Sequence, residues 1–444
     1  LGSLGGACSP ATPTTPDATD AASNQDAGMT QDSAPTADAA SGDGGQDAEA
    51  GPPPKRILGI HLAGAPTLVF DHLADKQQAL NLPDAQVTGW KEKDGTCNLT
   101  IPHYENYRMR GTSLLSLHID TAEIFSSSTQ ASDIVESHYD YHHWFMAPYT
   151  LDGVTVYSLA HSEWYACLLE GDCATGQNQL DSWVTTITSF VSTNGGATWA
   201  ANGVDAAHDV AALGYTWTGS QALANRVYHT ALDHTGLMTP SRLIEEGGRY
   251  YSIGFLVHRD FSKIDAMGVA PIDKYGYVLI RTGDLTTASG WEGWTGGASF
   301  TPLTSGQYLP FLPKVNGAPY NGSQVQIVRD VQAQVYVLIF APWGSNGAVY
   351  YMTSPSLATP AWSDAVEIGG SAAFATDPRS PTAPCNTGFQ AANYVSILDD
   401  KSPGYDFEFT LGNPWLFYVV NPALCNGDNL ARDVYRAPLV IAYQ

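Results

Sequence analysis

Apolar residues from Leu58 onward gather in short runs broken by Gly, Asp, Asn and Pro, with no helical period between them. Runs of this kind predict β-strands joined by turns. Three stretches end alike. Phe190–Trp199, Tyr277–Trp291 and Tyr351–Trp362 each carry an aromatic-rich strand into a Ser/Thr/Gly/Asn turn and close on a Trp. Five units also share a plan of first strand, turn and strongly apolar second strand: 84–90 with 98–103, 144–150 with 154–161, 239–244 with 250–258, 323–328 with 335–343, and 392–398 with 415–421. Asp94-Gly95, Asp152-Gly153 and Gly247-Gly248 supply residues that hairpin turns need at positive φ. The second strands lack clean alternation, which predicts burial on both faces. Repetition of one strand-and-turn unit marks a repeat architecture. The pattern predicts an all-β fold, a five-bladed β-propeller over residues 57–444. Insertions are expected near 120–140, 200–233 and 366–390. Ala65–Phe70 is expected to close the ring beside the last blade, covering a sheet edge.

Residues 1–50 are different material, with eight acidic residues, no Lys or Arg and no aromatic. Such a segment buries too little apolar surface to offset chain entropy. Residues 1–56 therefore read as a disordered acidic linker that ends in the stiff Gly51-Pro-Pro-Pro54. The formal net charge is −24. Phosphate affinity comes from Lys and Arg, so nucleic acid is not expected as a partner, and self-repulsion favours a soluble monomer. No stretch approaches the roughly 20 apolar residues of a membrane span.

The start, Leu1–Ser9, resembles the end of a bacterial lipoprotein signal, with a small-residue run ahead of Cys8; Leu4 lies one place further back than the usual apolar position. The resemblance implies export, with the protein secreted or held at the membrane by a lipid on Cys8. Pairing Cys167 with Cys173 and Cys385 with Cys425 fits an oxidising compartment and leaves Cys97 free, although spacing does not fix connectivity. No Cys-x-x-Cys pair points to zinc. No cofactor is expected, and a structural cation stays open. His138, His142 and His143 cluster in sequence without a metal-site spacing.

A propeller narrows the search for function. In an up-and-down blade, the start of the first strand and the end of the second share one face, where the axial channel opens. First-strand starts offer Asp84, the run Asp140–Trp144, Thr239 and Ser323. Second-strand ends offer His103-Tyr104-Glu105, His161-Ser162-Glu163, His258-Arg259, Trp343 and Asn421. Three units place a His at the matching point, and two follow it with Glu two residues on. Polar and charged residues that end strongly apolar strands at matched positions are not packing choices.

The segment Ser192–Trp199 resembles the Asp-box of sialidase-type propellers, with Asn194 in place of the usual Asp. The five-unit plan is similar to that of the five-bladed glycoside hydrolases of families 43 and 32, and Met238–Gly254 resembles the family 43 segment that carries the catalytic acid. The resemblance implies a propeller that cleaves glycosidic bonds in a polysaccharide or oligosaccharide with two carboxyls. In those enzymes an Asp opening the first blade is base or nucleophile, and Asp84 stands there. Their Glu-Gly-Pro acid is absent, with Met238 and Thr239 in its place. Glu163 is the expected substitute, with Glu105 as second choice. The substrate contacts that the resemblance implies are His103, Glu105, Arg108, Asp140, Trp144, His161, Thr239, His258, Arg259 and Trp343; Trp144, Trp164 and Trp343 would stack on sugar faces, and His, Asn and Arg would bond hydroxyls. Arg108, Arg242 and Arg259 do not match the sialidase arginine triad. Two other readings stay open: a surface carbohydrate-binding propeller without turnover, and a polysaccharide lyase that uses His161, His258 and Tyr104 as base and acid.

Overall fold

The computed structural model describes residues 53–76, 82–127, 141–165, 183–211, 235–263, 271–320, 322–342, 348–370, 373–374, 392–421 and 431–444. The N-terminal linker, Cys8 and the four cysteines of the expected disulfides lie outside them. All described residues belong to a unit spanning Pro53–Gln444. Apart from 3-10 turns at Asp205–His208, Phe261–Lys263 and Leu303–Ser305, their regular structure is strand.

The described strands form antiparallel units, neighbours largely in chain order, and the ten-stranded sheet divides at the parallel pairing of Val184 with Thr235. Unit one comprises Gly89–Lys91, Cys97–Ile101, Glu105–Gly111 and His118–Ile119, and unit two His142–Tyr149, Val156–Tyr165, Trp183–Ser192 and Ala200–Ala201. Unit three has Thr235–Met238, Arg249–Arg259, Ile272–Thr282 and Glu292–Gly296. Unit four has Gly322–Asp330, Val335–Pro342, Val349–Ser354 and Val366–Gly369, and unit five Asn393–Leu398, Trp415–Val420 and Asp433–Tyr443.

Contacts pass from each unit to the next and return to the first. Thr88 Oγ1 donates to Met146 O at 2.8 Å, joining one to two. Val184 and Thr235 pair in parallel, joining two to three. The Arg242 N–H donates to Gln326 Oε1 at 2.8 Å, joining three to four. Strand Gly322–Asp330 packs on Asn393–Leu398, joining four to five. Ser396 Oγ donates to Val87 O at 2.7 Å and closes the circuit. This cyclic order is that of a β-propeller.

The apolar cores lie between units. Ile253 and Leu279 pack with Val325 and Leu338, Val337 and Ile339 with Ile397 and Tyr418, and Leu99 and Met109 with Phe417 and Val434. A strand so placed is covered on both faces, which is why its sequence does not alternate. Each fully buried large side chain contributes about 1.5–3 kcal/mol.

Closure uses more of the N-terminal chain than Ala65–Phe70. Thr67–Phe70 pairs with the start of the last strand, and Ile57–Leu62 pairs with its remainder, Leu439–Tyr443. Chain ends far apart in sequence thus complete one sheet and cover its edge.

The turn Ser192–Trp199 is held by its own polar groups. The Gly196 N–H donates to Ser192 Oγ at 2.9 Å, the Thr198 N–H to Asn194 Oδ1 at 3.0 Å, and Trp199 Nε1 to Gly196 O at 3.1 Å. Gly196 has φ +85°, and a Cβ there would stand 2.2 Å from Trp90 Cζ2.

At the far end of the ring, where first strands finish, the segment Asp399–Thr410 crosses several units. Lys91 Nζ donates to Ser402 O at 2.6 Å, Arg242 Nη1 to Phe407 O, the Glu245 N–H to Glu408 Oε2 at 3.0 Å, and the Arg329 N–H to Glu408 O at 2.7 Å. This segment buries Phe407, Asp406 and Glu408. No sequence pattern announced it.

Candidate active site

Asp84 enters the site from the lead-in to the first strand of unit one, where its N–H donates to Pro102 O at 2.9 Å. That bond sets Asp84 beside the end of the second strand, and His103 Nε2 lies 3.4 Å from Asp84 Oδ2. Two further groups converge on the same carboxylate. Tyr394, at the start of the first strand of unit five, donates its hydroxyl to Asp84 Oδ1 at 3.2 Å, and Arg432 Nη1 donates to that same oxygen. Burial pushes the Arg432 guanidinium down to about 10, which leaves it cationic at neutral pH. Donors of this kind favour an ionised carboxylate.

Glu163 arrives from unit two. It lies two residues beyond His161 on strand Val156–Tyr165, so strand geometry sets both side chains on one face. His161 Nε2 and Glu163 Oε1 are 2.7 Å apart, and both residues are buried. The Thr239 N–H donates to His161 Nδ1 at 3.4 Å. Nδ1 is therefore the acceptor nitrogen, and Nε2 carries the hydrogen given to Glu163. Burial pushes His161 down to about 3, so the ring is neutral near pH 7.

Burial first, and then Glu163 whenever it is ionised, raises the Tyr394 hydroxyl, so the group that meets Asp84 is a donor.

Trp144 forms the wall between the arms. It is 2% exposed. Its ring meets His103 and Tyr104 edge-on, with centroids at 5.9 and 5.0 Å, and lies 5.2 Å from the His161 ring. Trp144 therefore packs as part of the protein instead of standing open as a sugar platform. His142 is sandwiched between Tyr104 and Tyr141, with ring centroids at 3.7 and 3.8 Å. Burial first, then His103, pushes His142 down to about 3; burial, then Lys76, does the same to His103.

Of the residues expected from sequence, Asp84, His103, Trp144, His161, Glu163 and Thr239 are brought together, with Tyr104 and His142 behind them. Arg108 is drawn elsewhere: its guanidinium lies 3.1 Å from Asp120 and 3.7 Å from Glu92, and bonds Gly195 O at 3.5 Å. It fastens the Ser192–Trp199 turn to unit one. His258 Nδ1 sits 2.5 Å from Asp273 Oδ1, with Arg259 buried next to it in the chain. Glu105 is half-buried and pairs in register with Ser126. Asp140, Trp343 and His138 lie outside the described residues. Cys97 is a free, buried thiol that burial pushes up to about 11.

Tyr394 and Arg432 were missed. Tyr394 obeys the first-strand rule but reads as one more aromatic in an apolar run. Arg432 stands at the start of a third strand. Third strands begin at the end where second strands finish, so that position faces the same mouth.

Among the described residues, one group could hold a metal ion: Asp71, His72 and Asp433. His72 Nδ1 lies 2.7 Å from Asp433 Oδ1, and the His72 N–H donates to the same oxygen at 2.9 Å, so these side chains clasp the ring closure. The group does not include Asp84 or Glu163.

No protein-family model matches the chain, and comparison with curated proteins gives no match. Solved structures with a similar fold include an exo-1,5-α-L-arabinanase from a bovine ruminal metagenomic library, 10% identical over 82% of this chain and 94% of that one, with a TM-score of 0.41. They also include a Cellvibrio cellulosa α-L-arabinanase mutant, 13% identical over 80% and 90%, at 0.41. A third is the Coprinopsis cinerea GH62 α-L-arabinofuranosidase catalytic domain, 10% identical over 85% and 97%, at 0.43.

Proposed function

We propose that this protein is an exported, glycoside hydrolase-like propeller that cleaves glycosidic bonds in a polysaccharide or oligosaccharide, with a lipid anchor at Cys8. The observation that carries the proposal is that one buried ring joins two carboxyl arms: Trp144 meets His103, which lies 3.4 Å from Asp84, and His161, which lies 2.7 Å from Glu163. Glycoside hydrolysis needs two carboxyls flanking the scissile bond, one ionised and one able to give a proton.

Asp84, with Arg432 and Tyr394 donating to it, suits the ionised role. It either attacks the anomeric carbon or takes a proton from the water that does. Glu163, buried beside a neutral imidazole, suits the proton donor. Its proton goes to the leaving glycosidic oxygen, and water supplies the replacement at the end of the cycle. The His161 Nε2–H fixes one Glu163 oxygen.

The binding-module reading has one observation in its favour. A carboxylate clamped by an arginine is also a good fixed acceptor for a sugar hydroxyl. A panel of polysaccharides separates the readings. New reducing ends without unsaturated sugar support hydrolysis, unsaturated ends support a lyase, and retention without product supports a binding module. Loss of reducing ends in both Asp84→Asn and Glu163→Gln ties hydrolysis to this pair; full activity in either variant overturns its assignment.

A further inference from the structure

Four non-glycine residues among those described have a left-handed backbone: Thr239, Asn316, Gln334 and Tyr394. Two of the four stand at the site. Thr239, at φ 51°, is the residue whose N–H meets His161. Tyr394, at φ 49°, is the residue whose hydroxyl meets Asp84. A left-handed conformation costs a residue with a Cβ, especially a bulky one, and persists only where its surroundings enforce it. At Tyr394 the enforcement is visible. The pairing of Asn393–Leu398 with Trp415–Val420 shifts register between Asn393 and Ser396. This irregularity turns the side chain from the direction a regular strand would give it.

We propose that Tyr394 is a positioning residue for Asp84: its left-handed backbone aims one hydroxyl at that carboxylate and so holds Asp84 in its ionised form. This rests on the hydrolytic reading only for its consequence in turnover. The hydroxyl stays protonated at every pH at which the protein would work, because burial and Glu163 both disfavour its anion. It is thus a permanent donor and cannot act as a base. A permanent donor to Asp84 stabilises the anion there. A proton moving onto Asp84 would lose that bond and would also leave Arg432 without its counter-charge.

The test uses the full chain and two substitutions. Tyr394→Phe keeps the ring and removes the donor. Tyr394→Gly removes the donor and accepts a left-handed backbone without strain. The first readout is the infrared carboxyl band of Asp84 followed against pH and assigned by its loss in Asp84→Asn. Both variants are expected to move its midpoint up by about one pH unit, the worth of one hydrogen bond to a charged group. The second is the acid limb of the pH–rate profile on any glycan the wild type cleaves. It is expected to move the same way, with kcat reduced about tenfold and KM little changed. An unmoved midpoint in both variants overturns the proposal, even if activity falls. A moved midpoint in the variants, beside a wild type that cleaves nothing, leaves the proposal standing and removes the hydrolytic reading.

Discussion

His161 and Glu163, two residues apart on one strand, face each other at 2.7 Å with the imidazole neutral and its Nδ1 already occupied by the Thr239 N–H. The carboxyl has a fixed neighbour that is itself uncharged. Substituting Glu163→Gln keeps the shape and the hydrogen-bond partner but removes the transferable proton. Glycan turnover is expected to fall about 10²–10⁴-fold, with the thermal transition retained, as measured by reducing-end kinetics beside a melting curve.

Asp84 is the partner of a mostly buried arginine. Removing it strands the Arg432 charge, and breaking one side of such a pair costs about 3–5 kcal/mol. Asp84→Ala is expected to show that loss in urea unfolding. The double change Asp84→Ala with Arg432→Met removes both charges and is expected to recover most of it. An equal loss in the single and double variants would show that the pair is not the source.

Stability is expected to peak between about pH 6 and 7. Burial, with the charge of Asp406 second, raises Glu408 to about 8, and burial raises Asp406 to about 6. Unfolded carboxyls titrate near about 4. The folded state therefore holds more protons from about pH 4 up to these values, and stability falls as pH rises through that window. His103, His142 and His161 run the other way. Burial lowers each to about 3, whereas unfolded imidazoles titrate near about 6.5. Below that value the unfolded state holds more protons, and stability is lost as pH falls. Melting temperature against pH checks both limbs, and Glu408→Gln is expected to flatten the alkaline one.

Gly196→Ala is expected to destabilise the protein by about 2–3 kcal/mol. The added methyl meets the Trp90 ring, and the backbone there is left-handed. Trp90 also donates its indole N–H to Gly195 O at 3.0 Å. The displacement should therefore appear as a change in tryptophan fluorescence together with a lower urea midpoint.

Strand identity was legible because it is a local property. The runs at 84–90 and 98–103, 250–258, 335–343 and 415–421 each became or adjoined paired strands, since Gly and Asp turns force the chain back within a few residues. The rule that first-strand starts meet second-strand ends also survived folding. It brought Asp84 to His103 and Thr239 to His161. Arg108 shows where the rule fails: it lies inside a third strand, and its charge is taken by Asp120 and Glu92.

The repeat, the turn chemistry and the mouth-facing positions belong to the order of residues, because each depends on spacing within a few dozen residues of chain. Only the tertiary structure decided which of those positions share a charge. Arg432 and Tyr394 reach Asp84 from the opposite end of the chain because ring closure sets the last unit against the first, and a one-dimensional pattern holds no record of that distance. The crossing of Asp399–Thr410 beneath the ring is of the same kind. Its buried carboxyls lie in the field of Arg242, and Glu408 accepts the Glu245 N–H from another unit, partners that no local motif could name.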